Sequence, residues 1–367
     1  MSQPVRVLVL GAGKIGRLVC FLLSQSGRYE VTLADANPQS AEDGIKRSNG
    51  QKLALTQSVS CDFSSYQDLT RVIHNKQYVL SCAPFHCNQL IAEVCLEKGV
   101  NYLDLTEDVA TTKHIKQLAH QAPCAFIPQC GLAPGFISIV AHDLAAQFTQ
   151  LDSVKMRVGA LPMFPHNRLK YNLTWSTEGL INEYCNPCEA VVDGKFCSLP
   201  PLEGLELFSL DGQEYEAFNT SGGLGTLAET LCGRVRNADY KSIRYPGHRD
   251  IIALLLHDLK LIDDRNSLCR MLDNALPHTY QDVVIVFVTV TGVMGTKLSQ
   301  SSFAKKIYHR EIDGEKWGAI QITTAAGICG VLDLHVQGML PKTGFIKQED
   351  VSLNSFLENQ FGKFYNA

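Results

Sequence analysis

The run Leu10-Gly11-Ala12-Gly13-Lys14-Ile15-Gly16 constrains this chain more than any other stretch. It follows the apolar segment Val5 to Leu10 (VRVLVL) and leads into Ile15, Leu18, Val19, Leu22 and Leu23 at helical spacing, so its glycines sit where a strand turns into a helix. Gly11 permits the tight turn, Gly13 lets the backbone approach a pyrophosphate, and Gly16 lets the helix pack closely on the strand, with the phosphates received at the helix N-terminus. A bare G-x-G-x-x-G often serves only a turn; the strand before it and the helix after it give it meaning. Tyr29 to Asp35 (YEVTLAD) then returns to strand, and Asp35 closes it about 20 residues after Gly16, where an acidic group accepts hydrogen bonds from the adenosine ribose. The bland alternative is a solvated carboxylate at a strand end. An acid there repels a ribose 2′-phosphate, so NAD is expected as the cofactor, with Lys46 and Arg47 nearby leaving NADP open.

The same alternation continues. Strands are expected near Val59 to Phe63, at Tyr78 to Pro84, at Val100 to Leu105 and at Cys124 to Pro128, with helices over 66–76, 86–98 and 109–121. Strands separated by helices make a Rossmann-type, doubly wound parallel sheet of the α/β class over residues 1–130. Past residue 150 the texture changes to strand-like runs joined by turns: VKMRVGALP, KFCSLPPL, EYEAFNT, DVVIVFVTVTG and WGAIQITTAAG. These predict a second, α+β domain over 131–324 with a large, mostly antiparallel sheet, after which 325–367 turns helical and packs back on the first domain.

A chain of 367 residues with 45% hydrophobic side chains can fill two cores. A net charge of −4, from 33 Lys plus Arg and 37 Asp plus Glu without long runs of one sign, argues against nucleic-acid or membrane-surface partners and for a small-molecule substrate. The first strand begins at Val5, leaving no room for a signal peptide, so a cytoplasmic location is expected. The longest apolar run, Val283 to Gly295, is too short to span a bilayer and reads as a buried strand. Thirteen scattered cysteines fit reduced thiols.

In a doubly wound sheet, ligands bind beyond the carboxyl ends of the strands. That rule selects Ser81-Cys82-Ala83-Pro84-Phe85-His86, Asp104-Leu105-Thr106-Glu107-Asp108 and Gln129-Cys130-Gly131-Leu132-Ala133-Pro134-Gly135. Ala36, Cys82, Ala83 and Pro84 are expected to line the cofactor beside Asp35 and the glycine loop. Asp104, His86 and Cys130 are the candidate catalytic groups, with Asp104 the first choice as proton acceptor, since hydride transfer needs a group to take a proton from the substrate. Each has a structural alternative: His86 as the start of a helix, Asp104 as a loop anchor through backbone amides, Cys130 as a small buried side chain. Ala133-Pro134-Gly135 is expected to open a helix, with Pro134 in its first turn.

With these motifs in place, the chain resembles the saccharopine dehydrogenase and lysine 6-dehydrogenase family. The resemblance rests on LGAGKIG, NYLDLTED, QCGLAPGF, TWSTEGLINEY, EAFNTSGGLGTL and IRYPGH, which occur in the family's order across both domains. It implies oxidation, or the reverse reduction, at a carbon bearing an amine nitrogen derived from lysine, with NAD or NADP as cofactor. It also implies a second domain that carries the substrate and dimer contacts, hence a homodimer. Acid–base roles in saccharopine reductases fall in the motifs matching Asp104 and Cys130. After the fourth strand this sequence departs from the pattern: Phe85-His86 stand where the reductases often carry a tyrosine, which leaves the acid–base assignment open.

A lysine ammonium, with a pKa of about 10.4, cannot release hydride while protonated, so the site must favour the neutral amine. Loss of hydride then leaves an imine, which water hydrolyses to a semialdehyde. Arg168, Lys170 and Arg244 are candidate cations for the substrate carboxylate, Arg being suited to bidentate binding. Tyr171 and Trp175 would form an apolar wall, and Thr174 and Ser176 would donate hydrogen bonds. Two other functions fit the same motifs: a carboxynorspermidine-type dehydrogenase acting on a polyamine, favoured by an acidic pocket, and a non-catalytic NAD-binding sensor that binds without turnover. The Cys185-x-x-Cys188 pair has no second pair at zinc-ligand spacing, so structural thiols and no metal are expected.

Overall fold

The computed structural model describes residues 3–366. The chain divides into two compact units, 1–139 with 321–367, and 140–320.

In the first unit, β1 (Val5–Leu10), β2 (Tyr29–Asp35), β3 (Thr56–Ser60), β4 (Tyr78–Ser81), β5 (Asn101–Asp104) and β6 (Ala125–Ile127) alternate with α1 (Lys14–Gln25), α2 (Pro38–Gly44), α3 (Tyr66–Ile73), α4 (Asn88–Lys98) and α5 (Val109–Leu118). Val7 to Leu10 are fully buried, as a central strand covered on both faces requires. The helices start on local signals: Asn37 accepts from the N–H groups of Gln39 and Ser40 ahead of Pro38, Ser65 from that of Asp68, and Asp108 from that of Thr111. A strand at Gly344–Phe345 pairs parallel with β6 and completes a seven-stranded parallel sheet, in the order C-terminal strand, β6, β5, β4, β1, β2, β3. The expected strands are all present. The third lies at Thr56–Ser60, earlier than Val59 to Phe63, and the fourth stops at Ser81, short of Pro84.

α6 (Phe136–Ala145) leads towards the second unit. The peptide Ala133–Pro134 is cis and Gly135 has φ +135°, so Pro134 lies in a turn before the helix and not in its first turn. A Cβ on Gly135 would stand 2.1 Å from the Gly131 carbonyl oxygen, so only glycine fits there.

The second unit holds β7 (Gln150–Pro162), α7 (Thr177–Cys185), β8 (Cys188–Val192), β9 (Lys195–Leu199), β10 (Glu206–Leu210), β11 (Gln213–Asn219), α8 (Leu227–Leu231), β12 (Val235–Arg244), α9 (His248–Ala253), α10 (Arg265–Ala275), β13 (Asp282–Met294) and β14 (Lys297–Tyr308). Its sheet runs β10-β11-β12-β7-β13-β14, with β8 and β9 off β12; only β12 and β7 pair in parallel. The sheet curls strongly, because Phe208 of β10 stacks on Phe287 of β13 at 5.9 Å although three strands separate them. Leu161, Tyr215, Ile243, Tyr245, Val283 and Ile285 fill the concave side. A second core joins α7, α9 and α10 to Phe218 of β11, through Tyr171, Leu173, Leu180, Tyr184, Ile252 and Leu268.

Of WGAIQITTAAG, expected as strand, only Trp317 lies in a strand, the short Glu315–Trp317; from Ala319 the stretch is the start of α11 (Ala319–Val336), an 18-residue helix that is 83% buried. Being apolar on all sides, it carries no clean 3.6-residue period from which to recognise it. Its start is set from a distance: the Asp282 carboxylate, on β13, accepts from the N–H groups of Ala319 at 2.5 Å and Ile320 at 3.0 Å. Further along, glycines let it pack closely, since a Cβ on Gly327 would stand 2.6 Å from the Cys130 carbonyl oxygen and one on Gly330 would stand 2.8 Å from the Phe356 ring. The buried Asp333 then accepts hydrogen bonds from Tyr29 Oη, from Asn359 Nδ2 at 2.7 Å and from Gln337 Nε2 at 2.7 Å, tying the C-terminal segment to β2.

Candidate active site

The glycine loop is shaped by backbone contacts. Gly11 has φ +99°, and a Cβ on it would meet the Cys82 carbonyl oxygen at 2.6 Å. A Cβ on Gly16 would lie 1.8 Å from the Gly11 carbonyl oxygen. Gly13 differs from both: it is exposed at the N-cap of α1, nothing lies within 4 Å of its Cβ position, and no side chain caps the helix. Its lack of a side chain therefore serves something outside the fold, and an uncapped helix start beside bare backbone suits a phosphate. Gly11 N–H donates to the Ala34 carbonyl and Cys82 N–H to that of Leu10, which joins the ends of β1, β2 and β4. Asp35 stands at that junction, its Oδ2 accepting from Ala12 N–H at 2.8 Å and its Oδ1 from Asn37 N–H at 2.9 Å. Ala36, Ala83 and Pro84 are exposed or half-buried beside it. These residues fit a dinucleotide, which Gly11 to Gly16 and Asp35 would hold. Of the nearby cations, Lys46 is paired with Glu42 at 2.7 Å, and the Arg47 guanidinium lies over the Phe21 ring at 5.4 Å.

The three candidate catalytic side chains divide sharply. Asp104 has no exposed surface: Oδ1 accepts from Thr106 N–H at 3.0 Å and Gln129 N–H at 2.8 Å, and Oδ2 from Tyr102 Oη at 2.8 Å. Burial raises its pKa to about 6 against those three donors. This carboxyl anchors the loop after β6 to the end of β5, the loop-anchor alternative, with no surface of its own open to solvent. Cys130 is likewise fully buried, its thiol donating to the Ile127 carbonyl at 3.0 Å and accepting from Gln348 Nε2 at 3.2 Å. Burial, with the Asp104 charge adding to it, pushes the thiol well above its ordinary range, so it stands as a neutral thiol in this environment. His86 is exposed, in a short helical turn after β4, with its ring edge-on to Phe85 at 5.9 Å.

In the second unit the expected substrate residues also separate. Arg168 is exposed, and Lys170, at φ +52°, donates to the Pro246 carbonyl at 2.9 Å. Neither joins Arg244, which is 3% exposed. The Arg244 guanidinium lies over the rings of Tyr171 at 5.2 Å and Tyr184 at 5.7 Å, its Nε donates to Tyr184 Oη at 2.9 Å, and its Nη1 donates to the Ile243 carbonyl at 2.9 Å. Its Nη2 comes within 3.6 Å of Glu183 Oε2, longer than a hydrogen bond. Two buried hydroxyls in this core, Tyr171 Oη and Thr174 Oγ1, make no well-formed hydrogen bond among the described residues, although Thr174 and Trp175 both lie close to the Tyr171 hydroxyl. Trp175 packs half-buried on the same core, and Ser176 caps α7 by accepting from Gly179 N–H at 3.2 Å. Glu183, Tyr184 and His248 escaped the sequence reading. Tyr184 and Glu183 lie in TWSTEGLINEY and His248 in IRYPGH, so their motifs were visible, but the meeting of α7 with β12 and α9 was not. Cys185 ends α7 and Cys188 opens β8, its thiol 3.7 Å from the Asn186 carbonyl oxygen.

A doubly wound sheet with a dinucleotide loop, joined to a sheet unit with a buried guanidinium, defines a two-domain oxidoreductase of the NAD(P)-binding class. Residues 7–125 match the saccharopine dehydrogenase NADP-binding domain and 131–359 the saccharopine dehydrogenase C-terminal domain, and the chain belongs to the saccharopine dehydrogenase family. Among curated proteins it is similar to the mitochondrial alpha-aminoadipic semialdehyde synthases of Bos taurus, 20% identical over 92% of this chain and 37% of that protein, and of Mus musculus, 26% identical over 53% and 21%. The chain thus spans little more than a third of their length at most. Among solved structures, apo saccharopine dehydrogenase (L-Glu forming) from Saccharomyces cerevisiae has the same fold, with a TM-score of 0.76 at 14% identity over 96% of both chains.

Proposed function

We propose that this protein is an NAD-dependent dehydrogenase acting on the C–N bond of lysine or of a lysine-derived secondary amine such as saccharopine. The observation that carries this reading is the Arg244 core, where a buried cation stands with two buried hydroxyls, Tyr171 Oη and Thr174 Oγ1, that make no well-formed hydrogen bond among the described residues. Leaving such groups unpaired costs about 1–3 kcal/mol each, a cost that a bound carboxylate would remove. The names of the relatives point to the same chemistry.

When bound, the nicotinamide supplies the two-electron hydride acceptor, or the donor in the reverse direction. The chain's own residues do the rest. Arg244, Tyr171 and Thr174 hold the carboxylate end, and Trp175 offers an apolar surface to the methylene chain. His86 accepts the ammonium proton, directly or through water, because among the three strand-end candidates it alone has an exposed ring. Loss of hydride from the neutral amine leaves a protonated imine; water adds, the C–N bond breaks, and a semialdehyde and an amine are released. Asp104 keeps the ends of β5 and β6 in register. Asp35 supports NAD over NADP, since the nearby cations are engaged elsewhere.

The test follows nicotinamide absorbance with L-lysine, L-saccharopine, L-ornithine and polyamines. Turnover of L-lysine or L-saccharopine is expected. Turnover of polyamines alone would move the assignment to the polyamine branch, and NAD binding without any turnover would make the protein a sensor. In the active enzyme, His86→Asn should lower kcat about 100-fold while NADH binding, read by calorimetry, stays within twofold. An unchanged kcat removes His86 from the proton step.

A further inference from the structure

We propose that His248 is a positioning residue for the Arg244 anion site, setting through Tyr184 the direction of the hydrogen bonds that hold the guanidinium; this rests on the reading of Arg244 as the substrate-carboxylate site. His248 opens α9 and is 1% exposed. Its Nδ1 lies 2.9 Å from the Leu169 carbonyl oxygen and its Nε2 lies 3.0 Å from Tyr184 Oη. A carbonyl can only accept, so Nδ1 carries the hydrogen, and in a neutral imidazole Nε2 is then the acceptor. Tyr184 must therefore give its single proton to His248, which turns an oxygen lone pair towards Arg244 Nε at 2.9 Å. The chain runs one way: Arg244 to Tyr184, Tyr184 to His248, His248 to the Leu169 carbonyl.

Reversal is chemically excluded while Arg244 is present. With a hydrogen on Nε2, the Tyr184 hydroxyl would have to turn its proton towards Arg244, setting a donor against a donor. The neutral state of His248 is itself enforced, since burial, with the Arg244 charge adding to it, pushes its pKa down to about 3. Phe218 is stacked at 6.3 Å, with Tyr171 edge-on at 5.4 Å and Tyr184 at 5.8 Å, and together they fix the ring plane. With Nε and Nη1 committed, Nη2 is the edge not fixed by a hydrogen bond; it faces the Glu183 carboxylate at 3.6 Å, so a substrate carboxylate would share the guanidinium with Glu183 there.

Two conservative variants separate this role from simple packing. His248→Asn keeps a donor for the Leu169 carbonyl but leaves Tyr184 without an acceptor. His248→Gln reaches the Nε2 position and can accept from Tyr184. Binding of L-saccharopine and of L-lysine to the full chain with NADH is measured by calorimetry, alongside KM and kcat for whichever is turned over, and the melting temperature of each variant. We expect His248→Asn and Tyr184→Phe each to raise Kd and KM about tenfold, the scale of one charge-assisted hydrogen bond, with kcat falling less. His248→Gln should recover to within about threefold of wild type, and adding Tyr184→Phe to His248→Asn should cost little more. Equal Kd for His248→Asn, His248→Gln and wild type, while Arg244→Lys weakens binding, would overturn the positioning role and leave the carboxylate site standing. If Arg244→Lys also binds normally, or neither probe binds the wild-type chain, the carboxylate site is misassigned and the proposal falls with it. Should His248→Asn fail to fold, Tyr184→Phe against His248→Gln gives the same comparison.

Discussion

The glycine-loop region of the first unit and the Arg244 cluster of the second are made in opposite ways. At the nucleotide end, glycines between β1 and α1, one carboxylate at the end of β2 and the turn after β4 are joined by main-chain hydrogen bonds. In the Arg244 cluster, a guanidinium from β12, a phenol from α7, an imidazole from α9 and a phenol from the loop before α7 meet through their side chains. A site built from backbone needs residues that are small or conformationally permissive at fixed local spacing, and these stand out as a motif. A site built from side chains needs only that distant segments converge. Its members look like ordinary core residues until the fold brings them together.

Substitutions can break that contrast. The largest effect is expected within the glycine loop itself. Gly16→Ala has no room for its methyl against the Gly11 carbonyl and should abolish measurable NADH binding and lower the melting temperature. Gly13→Ala meets nothing in the protein and should leave the melting temperature within about 2 °C while weakening NADH binding at least tenfold. Equal losses for both variants in a calorimetric titration would mean that Gly13 is not where the phosphates approach.

If the Arg244 cluster holds the substrate carboxylate, its variants should respond in substrate and not in cofactor. Arg244→Met removes the cation from a buried core and should raise KM for the amino-acid substrate by about 100-fold, with NADH affinity within twofold. A matching loss of NADH affinity would erase the distinction between the two regions. Next in size, Asp35→Ala should lower the NAD-to-NADP ratio of kcat/KM about tenfold, since it removes the carboxylate that opposes a 2′-phosphate. An unchanged ratio would detach Asp35 from the ribose.

Asp104 gives a test that reads stability and not catalysis. Its folded pKa, about 6, lies above the unfolded value of about 3.8, so the native state binds more protons between them. Stability from this group is fully present below pH 4 and is lost as pH rises through 6. Relative to the non-titrating Asp104→Asn, the wild type should lose roughly 3 kcal/mol between pH 4 and pH 7, read from urea midpoints. A difference that stays flat, or that grows in favour of the wild type as pH rises, would show that the three donors outweigh burial.

Local signals made much of this legible. The parallel sheet follows from apolar runs and helical periods, and α2, α3 and α5 begin where Asn37, Ser65 and Asp108 cap them. The failures share one cause. α11 is started by Asp282, from β13, and packs through Gly327 and Gly330 against Cys130 and Phe356, so nothing within WGAIQITTAAG announces a helix. Asp104 sits at the strand end the sequence indicated, but its exposure depends on Tyr102, Thr106 and Gln129 closing over both oxygens.

By itself, then, the sequence determined where the chain could bend tightly, which strands were buried on both faces, and that Asp35 would stand beside the glycine loop, because each of these depends on residues close along the chain. The tertiary structure decided which ionisable groups would keep contact with water and which cation would be desolvated. It exposed His86, closed Asp104 and Cys130, and chose Arg244 over Arg168 and Lys170. Burial and hydrogen-bond direction are properties of neighbours in space, and no spacing along the chain encodes them.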